Sequence, residues 1–417
     1  MDSAIQSALE LIGLSLAPGD DSRRALLEAA AKKVSDWESL WRLACDRHVA
    51  PLLYARLGPA GLRELIPSEI RDRLHVLSLQ TAALNALRLH QMQKVSSLLR
   101  ERGVRALYIK GASLILAGDY SHPGLRMFSD VDLLVEPAHQ AEVRRAFAEA
   151  GEWRELPPNS ARDTDQTRWL NRWRTLVEIH WRLSSFNGVP GQVGEQRLWE
   201  RAEEVQSRGT LAWVPCREDR FILAAVHGTA RHSFDSSLLF MTLADLAHLA
   251  GGDTIGMVSP TPRMDWGTMV EALKRERMLE HAALAAELAW ELTRFPPLAE
   301  GLQAMRGLEP GLKGVTGPLV KPLLRMVRKP WVFSSRAETK LLTDKRPRVR
   351  ARILGYALFD KLFPGTRKSF SLPEEAVEVK VVPMAGRYQR KLWDWDFIVY
   401  LLQLSRFYRR IGYTGMD

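Results

Sequence analysis

A chain of 417 residues that is 46% hydrophobic and 26% charged has the composition of a soluble, folded protein of two to four compact units, which excludes a disordered or fibrous chain. Its longest uncharged apolar runs, at 236–244 and 397–405, fall well short of the roughly 20 residues a membrane-spanning helix needs. Two cysteines, Cys45 and Cys216, exclude a disulfide framework or a cysteine-rich zinc site.

The net charge of +10 is unevenly placed: residues 301–417 hold 23 Lys and Arg against 10 Asp and Glu, leaving 36 against 39 in residues 1–300. A neutral body with a basic end predicts a local anionic partner, nucleic acid or an acidic membrane surface, or else a solvated appendage. The opening MDSAIQSALELIG is acidic and lacks a basic leader, so a cytoplasmic protein is expected.

Apolar residues at three- and four-residue spacing predict helices over 4–16, 25–34, 37–44 and 76–99, the last closed by Gly103. The pattern then changes. A β-rich run at 104–109 leads into Gly111, which opens an apolar helix to about 117, and 128–135 alternates as a strand. Residues 137–150 return to helical spacing, 151–156 suits a strand, and after a polar stretch 175–183 alternates again. The order β-α-β-α-β-β predicts an α/β (α+β) fold, with a small mixed-sheet core over 104–185. A helical region over 1–103 precedes that core, and a helical domain over 186–300 follows it. Beyond 300 lies a basic C-terminal region. Its run 313–352 carries 12 Lys and Arg and is punctuated by Pro318, Pro322, Pro330 and Pro347, which predicts short helices and loops. An amphipathic helix is expected over 388–410.

The informative stretch is LYIKGASLILAGDYSHPGLRMFSDVDLLV, residues 107–135. Backbone N–H groups near Gly111, Ala112 and Ser113 would stand at a helix N-terminus, a phosphate site, with Lys110 adding a point charge. Downstream, Asp130 and Asp132 alternate with Val131, Leu133 and Val135, so the strand period puts both carboxylates on one face. Two such carboxylates repel unless a cation joins them, and Mg²⁺ favours carboxylates together with substrate phosphates. Glu178, in LVEIHWRL, offers a third acid. On a neighbouring strand it completes a site for two metal ions and in-line phosphoryl displacement. Asp-x-Asp recurs at Asp163/Asp165, in a polar segment, and at Asp394/Asp396, where helix capping accounts for it.

The Lys110-Gly111 pair, Tyr120, Arg126, Asp-Val-Asp-Leu-Leu-Val and Val-Glu-Ile-His-Trp-Arg-Leu together resemble the uncharacterised bacterial nucleotidyltransferase family of the DNA polymerase β-like superfamily. The likeness spans about 37–297, including His48-Val49-Ala50-Pro51 and Asp265-Trp266. The resemblance implies transfer of a nucleoside monophosphate from an NTP to an acceptor, with Asp130 and Asp132 as metal ligands and Gly111 and Ser113 at the triphosphate. Two features depart from the superfamily's usual pattern. The Gly-Ser or Gly-Gly turn is Gly111-Ala112-Ser113 here, and the third acid is Glu178 where Asp is common.

Arg126 could clamp a triphosphate oxygen bidentately or be an ordinary surface arginine. His180 shares a strand face with Glu178, where it could orient that acid, contact substrate or serve structure alone. Trp181, on the other face, suits the core. His227 and His232 lack the spacing of a helical zinc site, and no Walker A, dinucleotide or Gly-x-Ser-x-Gly motif occurs. The expected reaction is attack of an acceptor hydroxyl on the α-phosphate of an NTP, with Mg²⁺ as cofactor and pyrophosphate released. The acceptor is a small molecule, a peptide or protein, or an RNA end. The rivals are a nucleotide-sugar glycosyltransferase using Asp-x-Asp, and a non-catalytic module that binds nucleic acid or membrane through the basic end.

Overall fold

The computed structural model describes residues 3–19, 21–58, 61–158, 165–183, 193–207, 209–231, 236–251 and 264–327, with 399, 403, 404, 406, 407, 410 and 411 near the C-terminus. Asp163, His232, Pro330, Pro347, Asp394 and Asp396, much of the basic run and nearly all of the helix expected over 388–410 lie outside the described residues.

Helical spacing governs the first hundred residues: α1 (Ser3–Ser15), α2 (Asp21–Ala31), α3 (Trp37–Asp46), α4 (Ala50–Leu57) and α5 (Ser68–Glu101). Helix α3 opens on Asp36, whose carboxylate accepts from the Ser39 backbone N–H, a cap of the usual kind. Helix α5 runs eight residues further back than its apolar period suggests. Ile70, Leu74, Thr81, Asn85, Leu89, Met92, Val95 and Leu99 form a buried stripe at helical spacing along it, and tertiary packing extends the helix to Pro67.

The strands and intervening helices follow: β1 (Ala106–Ile109), α6 (Lys110–Leu116), β2 (Asp130–Val135), α7 (Gln140–Ala150), β3 (Trp153–Leu156), β4 (Gln166–Asn171), β5 (Leu176–His180), α8 (Glu195–Glu200), β6 (Glu203–Ser207) and β7 (Thr210–Val214). They build a seven-stranded mixed sheet of order β3-β4-β5-β2-β1-β7-β6. Strand β2 pairs antiparallel with β1 and parallel with β5. Its Val131, Leu133 and Val135 are buried on one face with Tyr108, Trp169, Val177 and Ile179. Helices α5 and α7 cover that face. The Tyr108 hydroxyl donates to the Met92 carbonyl (2.8 Å), the Asn171 amide donates to Gln91 (2.8 Å), and Phe147 packs on Trp153 and Trp169. Asp130, Asp132, Glu178 and His180 therefore stand on the opposite face, as the period of two requires.

Two strand elements depart from the sequence expectation. Strand β4 occupies 166–171, where no strand is expected, and β6–β7 form a hairpin inside the stretch 198–299 expected to be helical. Thr210, Ala212 and Val214 are buried while Leu211 and Trp213 are half-exposed, a strand alternation only five residues long. Gly209, at φ 80°, supplies the left-handed turn conformation. The hairpin docks parallel on β1 through Leu107 and Trp213.

The remaining helices are α9 (Arg217–Val226), continued by a π-helical turn at His227–Arg231, then α10 (Ser236–Gly251), α11 (Trp266–Arg275), α12 (Leu279–Thr293), α13 (Pro296–Leu308) and α14 (Leu312–Val327). Helix α14 corrects the expectation of a chain broken at Pro318 and Pro322, since both lie inside it. Pro318 has no N–H to give the carbonyl of Gly314. That carbonyl accepts instead from the Arg410 guanidinium, so a C-terminal residue satisfies the bond the proline forfeits. Leu404 and Phe407 are buried, and Phe407 meets the His281 ring edge-on. Among the described residues, no helix is long and apolar enough to cross a membrane.

Candidate active site

Strand β1 passes into α6 with no loop between them. Lys110 makes the turn at φ 53°, a left-handed conformation that costs a non-glycine residue about 1 kcal/mol. The turn throws its side chain across β2, where Nζ reaches Asp132 Oδ1 at 2.6 Å. The register places Ile109 opposite Asp132 and Asp132 opposite Glu178, with Arg168 of β4 opposite Glu178. A single row thus crosses four strands at the level of the acids.

Asp132, Glu178 and His180 present ligand atoms within 4.8 Å of one another. His180 Nε2 lies 2.8 Å from Asp132 Oδ1 and 4.0 Å from Glu178 Oε2. Asp130 is half-buried at the start of β2, on the same face and outside this tight set, with Ser129 Oγ donating to it at 3.3 Å. The sequence paired Asp130 and Asp132 with Glu178 as metal ligands. The structure brings Asp132 and Glu178 together with His180 and sets Asp130 beside them.

The site's electrostatics are unbalanced. Burial raises the Asp132 carboxyl, yet Lys110 and then His180 outweigh it and hold Asp132 well below the usual carboxylate range. Burial lowers the Lys110 ammonium, but Asp132 overrides it and keeps Lys110 above its ordinary value. Glu178 is helped less: burial, then Asp132 and Asp130, push it up to about 7 against the weaker pull of Lys110 and Arg168. Asp130 is raised by burial and then by Asp132, against the pull of Lys110. Three carboxylates thus face one lysine, with one histidine between them.

This donor set fits a divalent cation. Two carboxylates on adjoining strands supply hard oxygen ligands, and the crowded negative charge favours an added cation. The His180 nitrogen extends the suitable ions beyond Mg²⁺ towards Mn²⁺ and other first-row metals.

The remaining expected residues take other places. Gly111, Ala112 and Ser113 are buried, and the Ser113 hydroxyl donates to the Lys110 carbonyl at 2.8 Å. A Cβ on Gly111 would overlap the Arg126 guanidinium and come within 3.2 Å of Phe128 Cβ, so close packing alone requires the glycine. Arg126, expected at a triphosphate oxygen, is buried. It forms a two-pronged ion pair with Asp245 of α10 at 2.7 and 2.8 Å, and the Tyr120 hydroxyl donates to the same carboxylate at 2.7 Å. Asp119 pairs likewise with Arg220 of α9. These bonds anchor the connection between α6 and β2 to the helical region and so fix where β2 begins.

Sequence reasoning missed Arg168 and Arg88. Arg168 has its Nε buried without a partner and its Nη2 on the Pro157 carbonyl (2.6 Å). The buried alternation of Thr167, Trp169 and Asn171 could have revealed its strand and face. Arg88, on the long helix α5, carries no local motif.

Among curated proteins, no sequence matches this chain. A family described as uncharacterised nucleotidyltransferase matches residues 33–294, more than half of the chain and all of the strands that carry the acids. With that match lying over a sheet whose acids face one another in register, the chain belongs to the uncharacterised nucleotidyltransferase family, a family of enzymes that transfer phosphorus-containing groups.

Proposed function

We propose that this enzyme transfers a nucleoside monophosphate from an NTP to an acceptor hydroxyl, using a divalent cation at Asp132, Glu178 and His180 with Asp130 alongside. The observation that carries it is the Asp132–Glu178 register beside the Lys110 turn: three acids around a single bonded lysine, on a sheet face next to a strand-to-helix junction. A divalent cation bound there, Mg²⁺ in our proposal, supplies charge neutralisation for the donor triphosphate. Lys110 contributes a fixed positive charge next to that position. Glu178, through the carboxylate oxygen that does not ligate the cation, accepts the proton of the acceptor hydroxyl. The acceptor oxygen forms a bond to the α-phosphorus, the bond from that phosphorus to the bridging oxygen breaks, and pyrophosphate leaves. In the metal-free protein His180 Nε2 holds Asp132 through its 2.8 Å contact, and it exchanges that contact for the cation when one binds.

The organisation we propose is a helical entry to about 103, a transferase core from 104 that takes in the hairpin ending at 214, a helical region to about 300, and a basic end. The +13 excess over 301–417, from 23 Lys and Arg against 10 Asp and Glu, supports an anionic partner held outside the core. An NTP donor is the ground for placing the enzyme in the cytoplasm.

The test is to incubate the purified chain with the four NTPs, Mg²⁺ or Mn²⁺ and a cell extract, and to assay pyrophosphate and nucleotidylated product by mass spectrometry. Pyrophosphate release with a product heavier by one nucleotide is the expected result. A product heavier by a sugar when nucleotide sugars are supplied, or no turnover of any NTP, would refute nucleotidyl transfer.

A further inference from the structure

Two cations near the acids are committed to carboxylates, Lys110 to Asp132 and Arg126 to Asp245. Two are not. Arg168, opposite Glu178, gives Nη2 to the Pro157 carbonyl and keeps its Nε buried without a partner. Arg88 stands by Phe128 instead. Its guanidinium lies over the Phe128 ring, 5.2 Å from the centroid, and Nη1 donates to Asn85 Oδ1 at 3.0 Å. That is one neutral acceptor for a group with five N–H donors. Among the described residues, no carboxylate comes within ion-pairing distance of Arg88. The acid whose charge it feels is Asp130, two residues before Asp132 on β2.

The mounting of Arg88 is rigid. Asn85 is fully buried, and its Nδ2 donates to the carbonyls of Pro123 (2.6 Å) and Arg126 (2.7 Å) while its Oδ1 accepts from Arg88. Phe128, under the guanidinium, has its Cβ packed towards Gly111. Arg88 thus stands over the side chain of a residue that packs against the strand-to-helix turn. A half-buried guanidinium without a counter-charge is unfavourable in the free protein, and its planar fork matches phosphate oxygens.

We propose that Arg88 receives the polyphosphate of the donor nucleotide, with Asn85 and Phe128 presenting its guanidinium beside the start of β2, where Asp130 stands. This rests on the nucleotidyl-transfer proposal and assigns the phosphate contact that Arg126, committed to Asp245, does not make.

The experiment titrates Mg²⁺-tripolyphosphate and Mg²⁺-NTP into wild type, Arg88→Met, Arg88→Gln and Arg88→Lys by calorimetry. Thermal midpoints and Mn²⁺ binding by electron paramagnetic resonance are measured on the same samples. Wild type is expected to bind tripolyphosphate. Arg88→Met and Arg88→Gln should bind it about tenfold more weakly or worse, as for loss of a charge-assisted hydrogen bond, and Arg88→Lys should fall between. Mn²⁺ binding should be unchanged; the midpoint of Arg88→Met should fall modestly because buried Asn85 Oδ1 loses its donor, while Arg88→Gln, which can still donate to it, should keep the wild-type midpoint. A purely structural arginine would instead lower the midpoint of both neutral variants and take Mn²⁺ binding with it, which would overturn the proposal. Tripolyphosphate affinity within about twofold of wild type in both neutral variants would overturn it too, leaving nucleotidyl transfer intact. Failure of wild type itself to bind either ligand would remove both.

Discussion

Two kinds of buried charge cluster lie a few residues apart in this chain, and they are built on opposite principles. Around Asp245, one carboxylate meets one guanidinium through two bonds and takes a hydroxyl from Tyr120; around Asp119, Arg220 does the same. Each of these carboxylates has its own two-bond guanidinium partner, and the pairs tie helices to a loop. On the sheet, Asp130, Asp132 and Glu178 share Lys110 and His180, and the shortage falls on Glu178, pushed up to about 7. Balanced burial serves as a fastening, whereas burial with a deficit of positive charge leaves room for a cation. Arg126 and Asp132 sit six residues apart, so distance along the chain does not separate fastening from site. The count of partners does.

Breaking the balanced cluster should cost the fold most. Asp245→Ala leaves Arg126 and Tyr120 buried without their acceptor, and a loss of about 3–5 kcal/mol in unfolding free energy is expected from urea denaturation. A loss below about 1 kcal/mol would show that the cluster is not a fastening.

The unbalanced cluster should respond in the other currency. Asp132→Asn is expected to lower metal-dependent turnover roughly 10²-fold or more, with a smaller stability loss than Asp245→Ala, since the amide oxygen still accepts from Lys110. Asp130→Asn should lower turnover similarly and relieve repulsion on Glu178, so its thermal midpoint should not fall. Steady-state rates set beside melting curves for both variants decide this. Near-wild-type turnover in either would remove that residue from the metal site.

A subtler distinction lies in pH. The folded-state carboxyl of Glu178, near 7, lies above its ordinary 4.5. Folding therefore favours its protonated form, and the stability this confers is full below about pH 4.5 and lost as pH rises through 7. His281, buried in α12, is pushed down to about 4 from 6.5 and costs stability as pH falls below 6.5, a slope of opposite sign. Subtracting the stability profile of Glu178→Gln from that of wild type cancels the histidine. The difference should reach about 1–3 kcal/mol across that window in metal-free protein, and saturating Mn²⁺ should flatten it. A flat difference without metal would mean that Glu178 is not squeezed by its neighbours. Turnover of Glu178→Gln, in contrast, should fall far more than its affinity for Mg²⁺-NTP.

The sequence by itself determined the elements whose pattern is local and strong: the amphipathic helices of the first hundred residues, the β1–α6 turn, and the alternation that set Asp130 and Asp132 on one face of β2. It determined that Glu178 shares a face with His180, because a period of two needs no tertiary information. It missed β4 and the β6–β7 hairpin, whose short alternations become strands through pairing and burial against the sheet. It misjudged α14, where Arg410, some ninety residues away, satisfies the carbonyl that Pro318 leaves open. Tertiary structure alone decided which charges meet. Arg126 looked like a phosphate clamp by its place before the acids, yet α10 brings Asp245 to it; Arg88 carried no signal, yet α5 sets it over the Phe128 ring with Asn85 and no carboxylate as its partner. The periodicity of a strand is written in neighbouring residues, whereas the partner of a charge depends on which distant element folds against it.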